Sequence, residues 1–144
     1  MKIIEPRTET EWKKYYDLRF EILRKPWNEP YSSTKDNDED ISIHLLMLDA
    51  EEAVGTGRLQ LNSKEEGQIR SMAVRDDQQG KGLGKAIVKR IEEEAAKKGL
   101  KNIVLDARIN AVRFYEKLGY KVIADSYLLF GVIPHFRMKK DLSK

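Results

Sequence analysis

Residues Gln78 to Ala86 read QQGKGLGKA, a glycine-spaced loop that follows a β-type run and opens an amphipathic helix. Glycines at 80, 82 and 84 let main-chain N–H groups approach an anion without side-chain obstruction. The helix behind them adds unpaired first-turn donors and the positive end of its dipole. Lys81 and Lys85 add positive charge, so the stretch has the parts of a pyrophosphate cradle. Spacing separates the nucleotide motifs that share these parts. A Walker A loop needs Gly at Gln79 and Ser or Thr at Ala86. A dinucleotide fingerprint starting at Gly80 needs its third glycine at Lys85. Neither condition is met. What remains is Gln79-x-x-Gly82-x-Gly84, set against the plainer reading of a glycine-rich turn that merely starts a helix.

Working outward, Leu83, Ile87, Ile91 and Ala95 recur every four residues and predict a helix that Gly99 stops. Upstream, β-type runs are expected at Ile43–Leu48, Val54–Leu61 and Gln68–Val74, with turn residues Ser63–Gly67 between the last two. Nearer the N-terminus, a short strand at Lys2–Glu5 is closed by Pro6, and Thr8 with Glu11 has the spacing of a capping box. The helix that follows places Trp12, Tyr16, Phe20 and Leu23 near one face, and Pro26 and Pro30 break it. The acidic stretch Thr34 to Asp40 reads as a loop. Downstream come a short strand at Ile103–Leu105, a helix carrying Ala111, Phe114, Tyr115 and Leu118 up to Gly119, and two closing strands within Lys121–Phe130 and His135–Lys140. The order predicts one α/β domain spanning residues 1–144, with a mixed sheet.

Bulk properties narrow the function classes. Of 144 residues, 40% are hydrophobic and 35% charged, in keeping with one water-surrounded core. No apolar run approaches the roughly 18 residues that cross a bilayer, and the charged N-terminus lacks the apolar stretch of a signal peptide. A cytoplasmic location is the expectation. Without cysteine there is no disulfide, thiolate nucleophile or cysteine metal site, and no His/Asp/Glu spacing suggests a metal. The net charge of +3 is spread among acids, as in KRIEEEAAKKG, which disfavours a nucleic-acid role and suits a small phosphate-rich ligand.

Three motifs in order carry a family resemblance: IRSMAV (Ile69–Val74), the glycine loop, and NAVRFYEKLGY (Asn110–Tyr120). Together they resemble the GNAT superfamily of N-acetyltransferases, from about Val54 to the C-terminus. FGVIPHFRMKK (Phe130–Lys140) and LRFEILRKPWNEP near the front are further similar to its ElaA-like branch. The resemblance implies a mixed sheet of about seven strands flanked by helices and splayed where acetyl-CoA inserts. It implies an acetyl-CoA-dependent transferase acting on an amine, with a non-catalytic acyl-CoA-binding module of the same fold as the alternative. A homodimer is compatible with it. Cofactor contacts are expected from Met72, Ala73 and Val74, from Gln79, Gly80, Lys81, Gly82, Leu83, Gly84 and Lys85, and from Phe114. Many members place Asn seven residues before the tyrosine, where this chain has Arg108; Asn110 stands five before, so both are candidates.

The chemistry needs a neutral amine. A lysine-like amine of pKa near 10.4 is neutral only ~0.04% of the time at pH 7, a gap of about 4.6 kcal/mol that a base or a desolvating site can help close. By resemblance Tyr115 is the acid that protonates the departing sulfur, with Phe114 beside it able to fill the core. His135 is the candidate base, its alternative being a strand histidine bonded to backbone. His44, in an apolar run, reads as structural. Asp36, Asp38, Glu39 and Asp40 either attract a cationic acceptor or form a solvated loop. Trp12, Trp27 and Tyr31 are candidates to cover the acceptor pocket, with core packing an equal account of Trp12.

Overall fold

The computed structural model describes residues 1–129, 131 and 133–142. Strands β1 (Lys2–Ile4), β2 (Ser42–Asp49), β3 (Glu52–Leu61), β4 (Glu66–Val74), β5 (Asn102–Arg108), β6 (Lys121–Leu129) and β7 (Ile133–Asp141) form one sheet in the order β1-β2-β3-β4-β5-β7-β6. Among the described residues only β4 and β5 run parallel. Helices α1 (Glu9–Leu23), α2 (Leu83–Lys97) and α3 (Val112–Lys117) complete the domain. Phe130, expected at the end of β6, and Val132 of the tail motif lie outside the described residues. Among the described residues no helix is long and apolar enough to cross a membrane.

Period-two alternation sorts the core into two layers. Leu45 and Met47 of β2 join Ile87, Val88 and Ile91 of α2 in the larger cluster, whereas Leu46 and Leu48 meet Tyr15 of α1 in a smaller one. The two helices therefore cover opposite faces. The α2 helix lies close to β3 because Gly55 and Gly57 leave room there: a methyl group at either would run into the Ile87 side chain.

The capping box at the start of α1 forms as expected, with Thr8 Oγ1 accepting from Glu11 N–H at 3.1 Å and Glu11 Oε1 accepting from Thr8 N–H at 3.1 Å. Its buried face differs from the expected one. Tyr15, Leu18 and Arg19 are buried, while Trp12, Tyr16 and Phe20 are only partly covered. A hydrophobic pattern passes over Arg19, which is inside because Glu39 Oε1 and the Thr34 carbonyl take its N–H groups at 2.7 and 2.6 Å.

Candidate active site

The parallel pairing of β4 with β5 covers only Glu66–Ile69 against Asn102–Leu105. Beyond it, Arg70, Ala73 and Val74 pair only with β3, and Asp106, Ala107 and Arg108 only with β7. The strands thus part at their C-terminal ends and leave two facing backbone edges unpaired. A bulge helps to part them: Thr56 and Arg58 of β3 span two steps where their partners Ala73 and Arg70 span three. The extra residue falls at Ser71–Met72, where Ser71 has φ 54° and its carbonyl accepts from Thr56 Oγ1 at 2.9 Å. A non-glycine residue at positive φ has no sequence signature, so this bend was legible only through the resemblance.

The glycine loop joins the end of β4 to α2. Gly80 and Gly82 take φ of 79° and 82°, and a Cβ on either would point into open space. The N-terminus of α2 has Gly82 as cap, no side-chain cap bond and no acid in its first turn, so its free N–H groups face no competing acceptor. Lys81 and Lys85 are exposed beside it. Gln79 folds back, its Nε2 donating to the Val74 carbonyl at 3.2 Å and to Asp76 Oδ1 at 3.3 Å. Ala73 and Leu83 are buried, and Met72 and Val74 pack partly against the core.

On the α2 face of the opening stands α3. Phe114, expected to fill the core beside Tyr115, does the reverse: its ring is 36% exposed and lies against Gly84. Tyr115 is the core aromatic, 7% exposed and edge-on to Phe114 and Tyr120. The helix presents Tyr115 to the sheet and Phe114 to the loop, one residue apart and 100° round. Burial pushes the Tyr115 phenol well above its ordinary range, so it stays protonated. Among the described residues its hydroxyl has no hydrogen-bond partner.

The α1 face is different in character. Arg108 ends β5 directly opposite His135 of β7, so the two side chains leave the sheet on the same side. The Arg108 guanidinium lies over the Trp27 ring, 5.9 Å from its centre. His135 is 6% exposed and stacks on Tyr127 with centroids 4.6 Å apart. A carbonyl can only accept, so the 3.0 Å contact between His135 Nδ1 and the Ile133 carbonyl puts a proton on Nδ1. In the neutral ring Nε2 then keeps its lone pair. Asn110, by contrast, is exposed in the turn before α3.

Other expected site residues fall elsewhere. Trp12 and Tyr31 line an open groove of about 650 Å³ with Tyr16, Asp40 and His44, none of whose walls comes from β4 or β5. Within the acidic stretch Asp40 is exposed at the groove, whereas Asp36 and Glu39 turn inward. Arg58, fully buried on β3, takes Asp36 in a fork at 2.8 and 2.9 Å and Glu39 at 2.9 Å. Long-range pairing of this kind has no local spacing to betray it. His44 is structural, as expected: its Nε2 donates to the Glu39 carbonyl at 2.8 Å, which leaves Nδ1 to accept from Tyr15 Oη at 2.6 Å. Among the described residues no cluster of three or more His, Cys, Asp or Glu could hold a metal ion.

The sequence profile of the Acetyltransferase (GNAT) family matches residues 12–120. An uncharacterised N-acetyltransferase of Bacillus subtilis strain 168, YjcF, is 33% identical over 141 residues, covering 98% of this chain and 100% of that protein. In architecture the chain is similar to an aminoglycoside 6'-N-acetyltransferase complexed with coenzyme A, with a TM-score of 0.83, 19% identity and coverage of 100% and 98%. It is equally similar to Escherichia coli ElaA, with a TM-score of 0.83, 21% identity and coverage of 96% and 97%.

Proposed function

Since the chain belongs to the acetyltransferase (GNAT) family, and is thereby an acyltransferase, we propose that it moves an acetyl group from acetyl-CoA to a primary amine of a small molecule or peptide by direct attack in a ternary complex. The observation that carries this reading is the gap beyond Ile69 and Leu105, closed off by a glycine loop and an uncapped helix N-terminus. A pantetheine arm can bond to the freed edge of β4 at Met72–Val74 while its pyrophosphate meets the N–H groups of Gly80–Lys85. Asn110 and Phe114 flank the same side.

In the reaction the amine lone pair attacks the thioester carbonyl carbon, the C–S bond breaks, and the sulfur leaves with the bonding pair. Tyr115 gives that sulfur its phenolic proton, and the proton lost by the amine nitrogen goes to His135 Nε2. Proton exchange with water returns both groups to their starting state. The products are an amide and CoA thiol. Backbone donors at the β4 edge stabilise the carbonyl oxygen as its charge grows.

Calorimetric titration with CoA tests the cradle. Val in place of Gly82 should weaken binding at least about ten-fold, because a β-branched residue resists the positive φ and blocks the anion's approach. Gly99, at φ 74° with equally open surroundings, closes the other end of α2. Gly99→Val bears the same strain without touching the cradle, so its CoA affinity should match the wild type. Equal loss in both variants would make the effect one of folding, and no loss in Gly82→Val would remove the cradle.

For His135 a pH profile separates two roles. A proton acceptor makes kcat/KM fall on acidification, and His135→Gln should flatten that limb when a low-pKa amine is used. A residue that only orients the acceptor should instead raise KM and leave the limb in place. A wild-type profile with wild-type KM would return His135 to the sheet core.

A further inference from the structure

Resting on the acyl-transfer reading, we infer that the acceptor is an amine bearing its own acidic group, a carboxylate or phosphate, which Arg108 receives at the mouth of the β4–β5 gap. Arg108 is half-buried, and among the described residues it has no hydrogen bond or ion pair, only the Trp27 ring beneath it. A guanidinium seated on an aromatic face keeps its N–H fork directed outward, the geometry that takes an oxyanion in two parallel bonds. Two more guanidiniums stand round the same opening. Arg70 lies in the half of β4 that β5 has left. Arg24, at the end of α1, donates to the Ser33 and Leu23 carbonyls at 3.1 and 3.2 Å and lines a small void against Ser71 of the bulge. The guanidiniums sense one another: burial first, then Arg19, Arg70 and Arg108, lower the pKa of Arg24.

The acids that could cancel this charge are engaged. Asp36 and Glu39 are held by Arg58, with Arg19 and Arg70 adding to them, and Asp38 stands 3.9 Å from Arg70. Asp106, the acid nearest Arg108 on β5, faces Arg137 at 3.2 Å, Ser126 Oγ at 2.8 Å and Gln68 Nε2 at 3.3 Å. The α1 side of the gap is therefore net positive. A polycationic amine is repelled there, whereas an acid-bearing amine gains a charge-assisted anchor. The same field lowers the pKa of a bound ammonium and so raises the neutral fraction that can attack.

Four probes decide it: β-alanine for the carboxylate, phosphoethanolamine for the phosphate, ethanolamine as the counterpart without an acidic group and spermidine as the polycation. Each is titrated calorimetrically into the protein–CoA complex and assayed by thiol release from acetyl-CoA. At least one acid-bearing amine should bind ten-fold or more tighter than ethanolamine, and spermidine weakest; whichever of the two acids leads identifies the group. R108Q should bring the ratio of acid-bearing amine to ethanolamine toward one, and R108K should recover part of it. Spermidine binding as well as or better than both acids, or an unaltered ratio in R108Q, overturns the inference and leaves acyl transfer standing. If the protein fails to bind CoA at all, acyl transfer falls and this inference with it.

Discussion

Tyr115→Phe is expected to lower kcat about 100-fold on a good acceptor, within the 10- to 1000-fold span of a lost general acid, while acetyl-CoA affinity holds. The substitution isolates chemistry from packing for a reason specific to this site. Tyr115 is 7% exposed and edge-on to two aromatic rings, which phenylalanine preserves. Its hydroxyl bonds to nothing among the described residues, so its removal strands no buried partner. The unfolding midpoint should therefore change little. Because burial pushes the phenol up, no basic limb of the pH profile is expected to come from Tyr115 in either protein. Single-turnover rates of thiol release make the comparison, so that slow product release does not mask a slower chemical step. The departing thiol, of ordinary pKa near 8.5, needs only moderate help, which sets the lower end of the range. A wild-type rate in Tyr115→Phe would reduce the residue to a core aromatic.

How much of this site could be read from the chain depends on how local each signal is. The α2 helix was legible because its four apolar positions repeat within fifteen residues, and the capping box at Thr8 because its partners stand three apart. The glycine loop announced its positive-φ turns directly. The parting of β4 from β5 is available only by resemblance, since its bulge puts Ser71, a lone serine inside a β-type run, at a positive φ that such residues seldom take. The charged architecture is hidden from the sequence for a different reason. Asp36 lies 22 residues before Arg58, and Glu39 lies 20 after Arg19, so the acids looked solvated until the sheet brought their partners to them. Arg24, Arg70 and Tyr127 carry no local signal for the same cause, their meeting at the gap being a product of topology alone.

That buried network also governs stability, and Arg58→Met should cost about 3 kcal/mol at neutral pH, the range for breaking a buried ion pair by removing one partner. All five N–H groups of Arg58 are used, on Asp36, Glu39, Gln60 Oε1 and Ser42 Oγ, so methionine fills much of the volume while leaving five acceptor atoms on four residues short. Acid should erode wild-type stability in two stages. Burial pushes His44 below its ordinary 6.5, more than its bond to the Glu39 carbonyl raises it, so the folded state resists protonation there and stability begins to fall below about pH 6.5. Burial alone would raise Glu39 and Asp36. Arg19, the Asp36 N–H and Arg58 outweigh it for Glu39, and Arg58, the Asp38 N–H and Arg70 do so for Asp36. Both carboxyls are thus held below their ordinary 4.5 and 3.8, and the stability they supply is present above those values and lost as pH falls past them. In Arg58→Met the first stage should persist, because Tyr15 and the Glu39 carbonyl still hold His44, and the second should shrink. Urea unfolding of both proteins between pH 8 and pH 3 measures this. An unchanged second stage would mean that Arg19 and Arg70 alone hold the acids, and that Arg58 is buried without binding the 36–39 segment to the sheet.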